Sequence, residues 1–195
     1  MSLRIRVNGA AAECRASGAL WLDGARALIV ADLHLEKGSA YAARGQMLPP
    51  FDTAETLSRL ETEVEALDPT LVVLLGDTLH DAAAEARLAP EARARLACLA
   101  NRRRLVWVLG NHDAAGPGPL PGEALADLEL EGLTFVHEPR PRAAPGEVAG
   151  HLHPCAKVKG RTGRLRRRCF VTDGERIILP AFGALTGGLN IRDTA

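Results

Sequence analysis

The chain has 195 residues, of which 47% are hydrophobic and 25% charged, enough to bury one sizeable core and short for two, so a single domain over 1–195 is expected. No stretch approaches the ~18 consecutive apolar residues of a membrane span, and the opening Met1-Ser2-Leu3-Arg4-Ile5-Arg6 lacks the apolar core of a signal peptide, which points to a cytoplasmic protein without membrane contact. The 24 basic and 24 acidic residues cancel, but unevenly: 52–91 holds ten acids against two arginines, whereas 140–168 holds nine bases against Glu147, a candidate anion-binding face.

In chain order, residues near 3–7 and 19–22 suggest an opening hairpin. Ala27-Leu-Ile-Val-Ala31 reads as the first buried strand, too short for a helix and wholly apolar. Asp52-Thr-Ala-Glu55 has the form of a capping box, and Ala54, Leu57, Leu60, Val64 and Leu67 follow at helical spacing, which predicts an amphipathic helix. A second buried strand follows at Leu71-Val-Val-Leu-Leu75. The next helix starts near Pro90, a good first-turn residue, carries Ala92, Leu96 and Leu99 on one face, and ends at Arg102-Arg103-Arg104. Further strands are predicted at 105–109, 133–136 and 177–179. Strand-helix-strand-helix-strand is the alternation of an α/β sheet that is parallel at first. After Asn111 the chain turns rich in Pro and Gly and shows no long helical pattern, so a more antiparallel β layer beside the first sheet is expected.

The four cysteines, Cys14, Cys98, Cys155 and Cys169, are widely spaced and read as free thiols. Only seven residues are aromatic, too few for a base-stacking platform, so any nucleic-acid contact would run mainly through phosphate. The six histidines are the most informative residues, because each lies at or just beyond a strand-like run. They occur in Asp32-Leu-His34, Gly76-Asp77-Thr-Leu-His80-Asp81, Gly110-Asn111-His112-Asp113, a lone His137, and Gly150-His151-Leu-His153. Ligands of open α/β sheets bind beyond the carboxyl ends of strands, so these five segments should converge at one rim. Imidazole mixed with carboxylate and amide oxygen suits Mn²⁺, Fe or Zn²⁺, and the absence of nearby thiolate argues against a structural zinc site. The two-residue spacings of Asp32 and His34, and of His151 and His153, bring both side chains to the same side of an extended backbone. Glycines before Asp77, Asn111 and His151 permit sharp turns or close approach.

In that order the five motifs resemble the calcineurin-like metallophosphoesterase superfamily, and the match spans residues 32 to 153. The resemblance implies a four-layer αββα sandwich of two mixed β-sheets flanked by helices, with a dinuclear centre at the sheet edge. It implies that Asp32, His34, Asp77 and His153 hold one ion and Asp77, Asn111, His137 and His151 the other, with Asp77 shared. It further implies that His112 contacts the phosphate, oriented by Asp113. The segment Gly76-Asp77-Thr-Leu-His80-Asp81 departs from the Gly-Asp-x-x-Asp of many members, and His80 stands where nuclease-like members have a histidine. His80 is thus read either as a phosphate contact or as a partner to a ligand. With the tail from Leu179 to Asn190 and Asp32-Leu-His-Leu-Glu-Lys-Gly38, the chain is similar to the bacterial ligase-associated DNA-damage-response endonucleases, which implies DNA as substrate and a helicase or ligase as partner.

Two divalent ions, Mn²⁺ first among those that suit, would lower the pKa of a shared water and clamp phosphate oxygens during hydrolysis of a phosphodiester. The basic stretch from Lys157 to Arg168, with Arg161, Arg164, Arg166, Arg167 and Arg168, is either a solvated face or a hairpin that lays guanidiniums along a phosphate backbone. The tail after Leu179 reads as a closing strand and turn. Alternatives to a nuclease are a phosphatase, a small-molecule phosphodiesterase and a catalytically silent scaffold.

Overall fold

A computed structural model describes residues 2–142, 144–160 and 163–192. Ser2–Val7 (β1) and Ala10–Arg15 (β2) pair antiparallel from Ser2 with Arg15 to Val7 with Ala10. Asn8 and Gly9 form the turn with φ of 48° and 84°, the doubly left-handed geometry whose twist matches that of paired strands. The partner of β1 is therefore β2, not 19–22. Leu20–Leu22 (β3) instead pairs antiparallel with β2 and with Ala27–Ala31 (β4).

Lys37–Ala42 (α1) and Asp52–Leu67 (α2) follow β4. The expected capping box does not form: Phe51 occupies the cap position without a side-chain bond, and Asp52 lies inside the first turn, where its carboxylate accepts the Gly38 amide at 2.9 Å. Thr53 exchanges hydrogen bonds with Glu36, and Thr56 accepts the Ala184 amide. The start of this helix is thus tied to neighbouring loops, which turns Ala54 outward and buries Thr53, Thr56, Leu57, Leu60, Glu63 and Val64. Leu71–Leu75 (β5), Ala84–Arg87 (α3), Pro90–Arg102 (α4), Arg104–Val108 (β6) and Glu123–Leu125 (β7) complete a seven-stranded sheet in the order β1 to β7, parallel from β4 onward.

The remaining strands are Leu128–Leu130 (β8), Leu133–Val136 (β9), Glu147–Ala149 (β10), Pro154–Gly160 (β11), Gly163–Arg168 (β12), Val171–Thr172 (β13), Ile177–Ile178 (β14) and Leu189–Asn190 (β15). A second sheet has the order β13-β14-β10-β9-β8, and its centre is parallel rather than antiparallel: β10 pairs parallel with both β9 and β14, and only the edge strands run opposite. Parallel neighbours need a crossover, usually a helix. Here the Pro-rich loop after Val136 and the excursion through the β11–β12 hairpin make the crossings, so no helical pattern announces them. A third, small sheet joins β12, β11 and β15.

Residues of β4 and β5 alternate between two apolar cores. Leu28, Val30, Val72 and Leu74 pack with Leu57, Leu60, Leu96 and Leu99 of the helices, while Ile29, Ala31, Val73 and Leu75 pack with Leu133, Phe135, Val148 and Ile177 of the second sheet. Burial on both faces explains why these strands read as unbroken apolar runs. Two mixed sheets are stacked face to face, and among the described residues every helix precedes β6 and serves the larger sheet. The tail laces the sheets together: Leu179 donates to Ala149 and Phe182 to Ala31. No helix of the described residues is long and apolar enough to cross a membrane.

Candidate metal centre

Because β4, β5, β6, β9 and β10 run in parallel within their sheets, the residues that follow them gather at one rim. Asp32 follows β4 directly, Asp77 lies two residues beyond β5, Asn111 three beyond β6, His137 directly after β9, and His151 two beyond β10. Asp32, His34, Asp77, His151 and His153 all take positive φ, between 45° and 65°. The left-handed region is uncommon for residues other than glycine and its cost is borne where surrounding structure enforces it. The paired residues at 32/34 and 151/153 therefore reach one cluster by repeated left-handed turns, not by an extended backbone. Close approach also dictates two glycines. A Cβ on Gly76 would lie 2.0 Å from His137 Nδ1, and one on Gly110 would lie 2.3 Å from the Asp77 amide nitrogen.

Three groups of donor atoms result, each with its atoms within 4.8 Å of one another: Asp32, His34 and His153; His34, His80 and His112, which shares His34 with the first; and Asp77, His137 and His151. Imidazole nitrogens face each other directly, His34 Nε2 and His153 Nε2 at 3.3 Å and His137 Nε2 and His151 Nδ1 at 3.1 Å. Asn111 Oδ1 lies 3.0 Å and Asp77 Oδ1 3.3 Å from His137 Nε2. Asp32 Oδ1 lies 3.4 Å from His153 Nε2 and 3.7 Å from His137 Nδ1, the latter a buried nitrogen without a hydrogen-bond partner among the described residues. Two buried carboxylates, an amide oxygen and converging imidazole lone pairs are a donor set that fits divalent cations.

The electrostatics of His34 and Asp77 agree with that reading. Burial drives the His34 pKa down to about 3 despite the pull of Asp77, which favours the neutral ring a cation requires. Burial would raise Asp77, yet hydrogen bonds from His137 and the His112 amide hold its pKa at about 2. His137 is opposed by burial but raised overall by Asp77 and Asp32.

The residues around this core differ in role from the sequence-based expectation in one respect. Asp113 does not address the His112 ring. Its Oδ1 accepts the Gly110 amide at 2.9 Å, and its Oδ2 accepts those of Thr78 at 2.7 Å and Leu79 at 3.2 Å. A short buried carboxylate satisfies these amides more readily than it can reach an outward ring, and it clamps the loops that carry Asp77 and Asn111. The ring of His112 is aligned instead by the His80 carbonyl, 2.7 Å from Nδ1. His80 Nδ1 approaches His34 Nδ1 at 3.4 Å, and its ring stacks on that of His112 with centroids 5.4 Å apart.

Tyr41, absent from the expected site, also stacks with the His80 ring, with centroids 6.2 Å apart. The pKa of His80 is lowered by burial and then by the charge of Lys37. Both residues lie on α1, whose short span left no periodic signal. Of the basic cluster, Arg161 and the side chain of Arg164 lie outside the described residues. Arg166 bonds to Cys155 Sγ and the Gly188 carbonyl, and Arg168 to the carbonyls of Phe182 and Gly183 and to Thr186, so both are tied to neighbouring segments; Arg168 is half-buried, while Arg166 and Arg167 are exposed. The cysteines are free thiols.

Comparison with known proteins places this geometry in context. A family model of calcineurin-like phosphoesterases matches residues 25–186. The structure of the Pseudomonas putida nuclease MPE is similar over 100% of this chain and 94% of its own, at 31% identity and a TM-score of 0.78. An Escherichia coli phosphoesterase, Yfce, aligns over 84% of this chain and 83% of its own at 18% identity and a TM-score of 0.46. A search of curated proteins found no match. The chain belongs to the calcineurin-like phosphoesterases and is a metal-dependent hydrolase of phosphate esters.

Proposed function

We propose that this protein is a dinuclear metal-dependent phosphodiesterase acting on DNA. The observation that carries the reading is the placement of the stacked His80 and His112 rings beside two carboxylate–imidazole groups that share one rim. The similarity to a nuclease over the whole chain supports it. Asp32, His34 and His153 would hold one ion, and His137, His151 and Asn111 the other. Asp77 would be shared, since its two oxygens face His137 on one side and His34 on the other. Mn²⁺ is the ion proposed for this mixed nitrogen and oxygen set. Bound ions would supply Lewis acidity at the phosphate and acidify water.

The chain's own groups do the rest. Asp77 and Asp32 would offset the charge of bound cations, and the Asp113 clamp keeps Asp77 and Asn111 in place without touching substrate. A carbonyl only accepts, so His112 Nδ1 carries a proton and is anchored on His80, leaving Nε2 to face the substrate side. The imidazolium form donates from Nε2 to a phosphate or leaving oxygen, a contribution typically worth ~10²–10⁴-fold. A repair setting, with a helicase or ligase as partner, rests on the subfamily resemblance alone.

The test is hydrolysis of a chromogenic phosphate diester and of the matching monoester by metal-stripped protein with Mn²⁺ restored. Diester hydrolysis is expected to need Mn²⁺. His112→Ala is expected to lower turnover by ~10²–10⁴-fold with full ion content, and Asp77→Ala to lose both ions. Preference for the monoester, or full activity in His112→Ala, would overturn the reading.

A further inference from the structure

Outside the metal centre, the structure holds an open cavity of about 800 Å³ between the β1–β2 hairpin, α2 and β12, within the size range of small-ligand sites. Arg59, Arg166, Arg167 and Arg168 line it together with Arg15, and among the described residues no Asp or Glu does. Arg15 is paired with Glu13 and Glu63. The other four are not: among the described residues their bonds run to the carbonyls of Ser17, Gly188, Arg166, Phe182 and Gly183, to Cys155 Sγ and to Thr186. The carboxylate that acts on Arg59 is Glu55, which lies beyond ion-pair distance.

Arg59 and Arg168 are both half-buried, and burial followed by their mutual repulsion brings the Arg168 pKa down to about 10. Arg59 rests on the Phe182 ring at 4.7 Å and feels Glu55 only at a distance, and among the described residues neither it nor Arg168 has a carboxylate in ion-pair contact, so their charge is left to attract an anion into the cavity. Leu3, Ile5, Phe170 and Pro180 give the same cavity an apolar wall. The guanidiniums match a phosphate, and the wall matches the face of a planar ring.

The cavity is also close to the metal rim through the backbone. Phe182 and Gly183 donate their amides to the carbonyls of Ala31 and Asp32, and their own carbonyls accept from Arg168. A single peptide segment therefore separates the cavity's cations from a residue of the metal centre.

We propose that this cavity is a second strand subsite: it takes one nucleotide of the DNA strand away from the scissile phosphate, with its phosphate on Arg59, Arg167 and Arg168 and its base against the apolar wall. For its substrate the proposal rests on the nuclease reading, but its test does not require hydrolysis. Binding of a fluorescein-labelled 20-nucleotide single strand is measured by anisotropy with metal-free full-length protein over a range of salt. Arg59→Gln and Arg167→Gln are compared with Arg102→Gln, which removes an exposed charge from α4. Among the described residues the Arg167 side chain bonds only to the adjacent Arg166 carbonyl, so its replacement is expected to spare the fold.

The first two variants are expected to weaken binding at least five-fold and to lower the slope of log affinity against log salt by ~0.7 each, while Arg102→Gln changes affinity less than two-fold. Wild-type affinity in both cavity variants, or losses equal to that of Arg102→Gln, would overturn the proposal. So would a deoxynucleoside monophosphate that binds in an Arg59-dependent manner without competing with the strand, which would make the cavity a free-nucleotide site. Strand binding that depends on these arginines, in a protein that hydrolyses no diester, would refute the nuclease reading and leave the subsite standing.

Discussion

Asp113 offers the sharpest test of how the metal rim is built. Its side chain is buried and its two oxygens accept three backbone amides, from Gly110, Thr78 and Leu79. Asp113→Ala leaves all three donors without a partner in a region closed to water. At about 1–3 kcal/mol per buried donor, the loss is about 3 kcal/mol or more, a large share of the ~5–15 kcal/mol that holds a domain folded. Burial raises the Asp113 pKa, the amides pull against it, and the desolvation recovered on truncation keeps the figure at the lower end of that sum. Asp113→Asn retains one acceptor oxygen and turns an amino group toward a backbone amide, so about 1–3 kcal/mol is expected. Urea unfolding of metal-free protein measures both variants, and titration with Mn²⁺ measures the second effect: the released amides belong to the loops carrying Asp77 and Asn111, so ion affinity should fall with stability. If Asp113→Ala unfolds within 0.5 kcal/mol of the wild type, binds ions normally and loses only turnover, Asp113 acts on His112 and the clamp is refuted.

Gly76→Ala places a methyl group against His137 and at a φ of +68°, so it should cost at least ~1 kcal/mol and weaken ion binding. A normal Mn²⁺ titration of this variant would refute the packing argument. Glu13 gives the acid limb of stability: its hydrogen bond to Arg15 holds its carboxyl below the usual range. A depressed folded value means its contribution is full above ~pH 4.3 and is lost as pH falls through the folded value. The stability gap between wild type and Glu13→Gln, followed by urea midpoint from pH 6 to 3, should therefore shrink on acidification, and a constant gap would show that the bond does not discriminate protonation states.

The parts of the fold legible in the sequence are those set by local pattern. The buried strands β4, β5 and β9 appear as apolar runs, and α4 appears through Pro90 and its apolar face, because periodicity and cap chemistry are short-range. The convergence of Asp32, His34, Asp77, Asn111, His137, His151 and His153 was also legible, since parallel strands present their carboxyl ends on one side. Asn8-Gly9, the strongest short hairpin signal in the chain, marks the β1–β2 turn and outweighs the weak alternation of Ala10–Arg15. Other features carried no local mark. The parallel centre of the second sheet depends on crossings made by loops, and the place of Tyr41 depends on a six-residue helix.

What the amino-acid order determined by itself is the kind of chemistry: which donor types lie at strand ends, and that they meet. What only the tertiary structure decided is the role of groups whose partners are far away in the chain. Asp113 stands next to His112 yet binds the amides of residues 78 and 79, and Arg59 and Arg168 meet across a cavity from opposite halves of the sequence. A hydrogen bond or a guanidinium pair is chosen by distance in space, and burial then makes that choice costly to change.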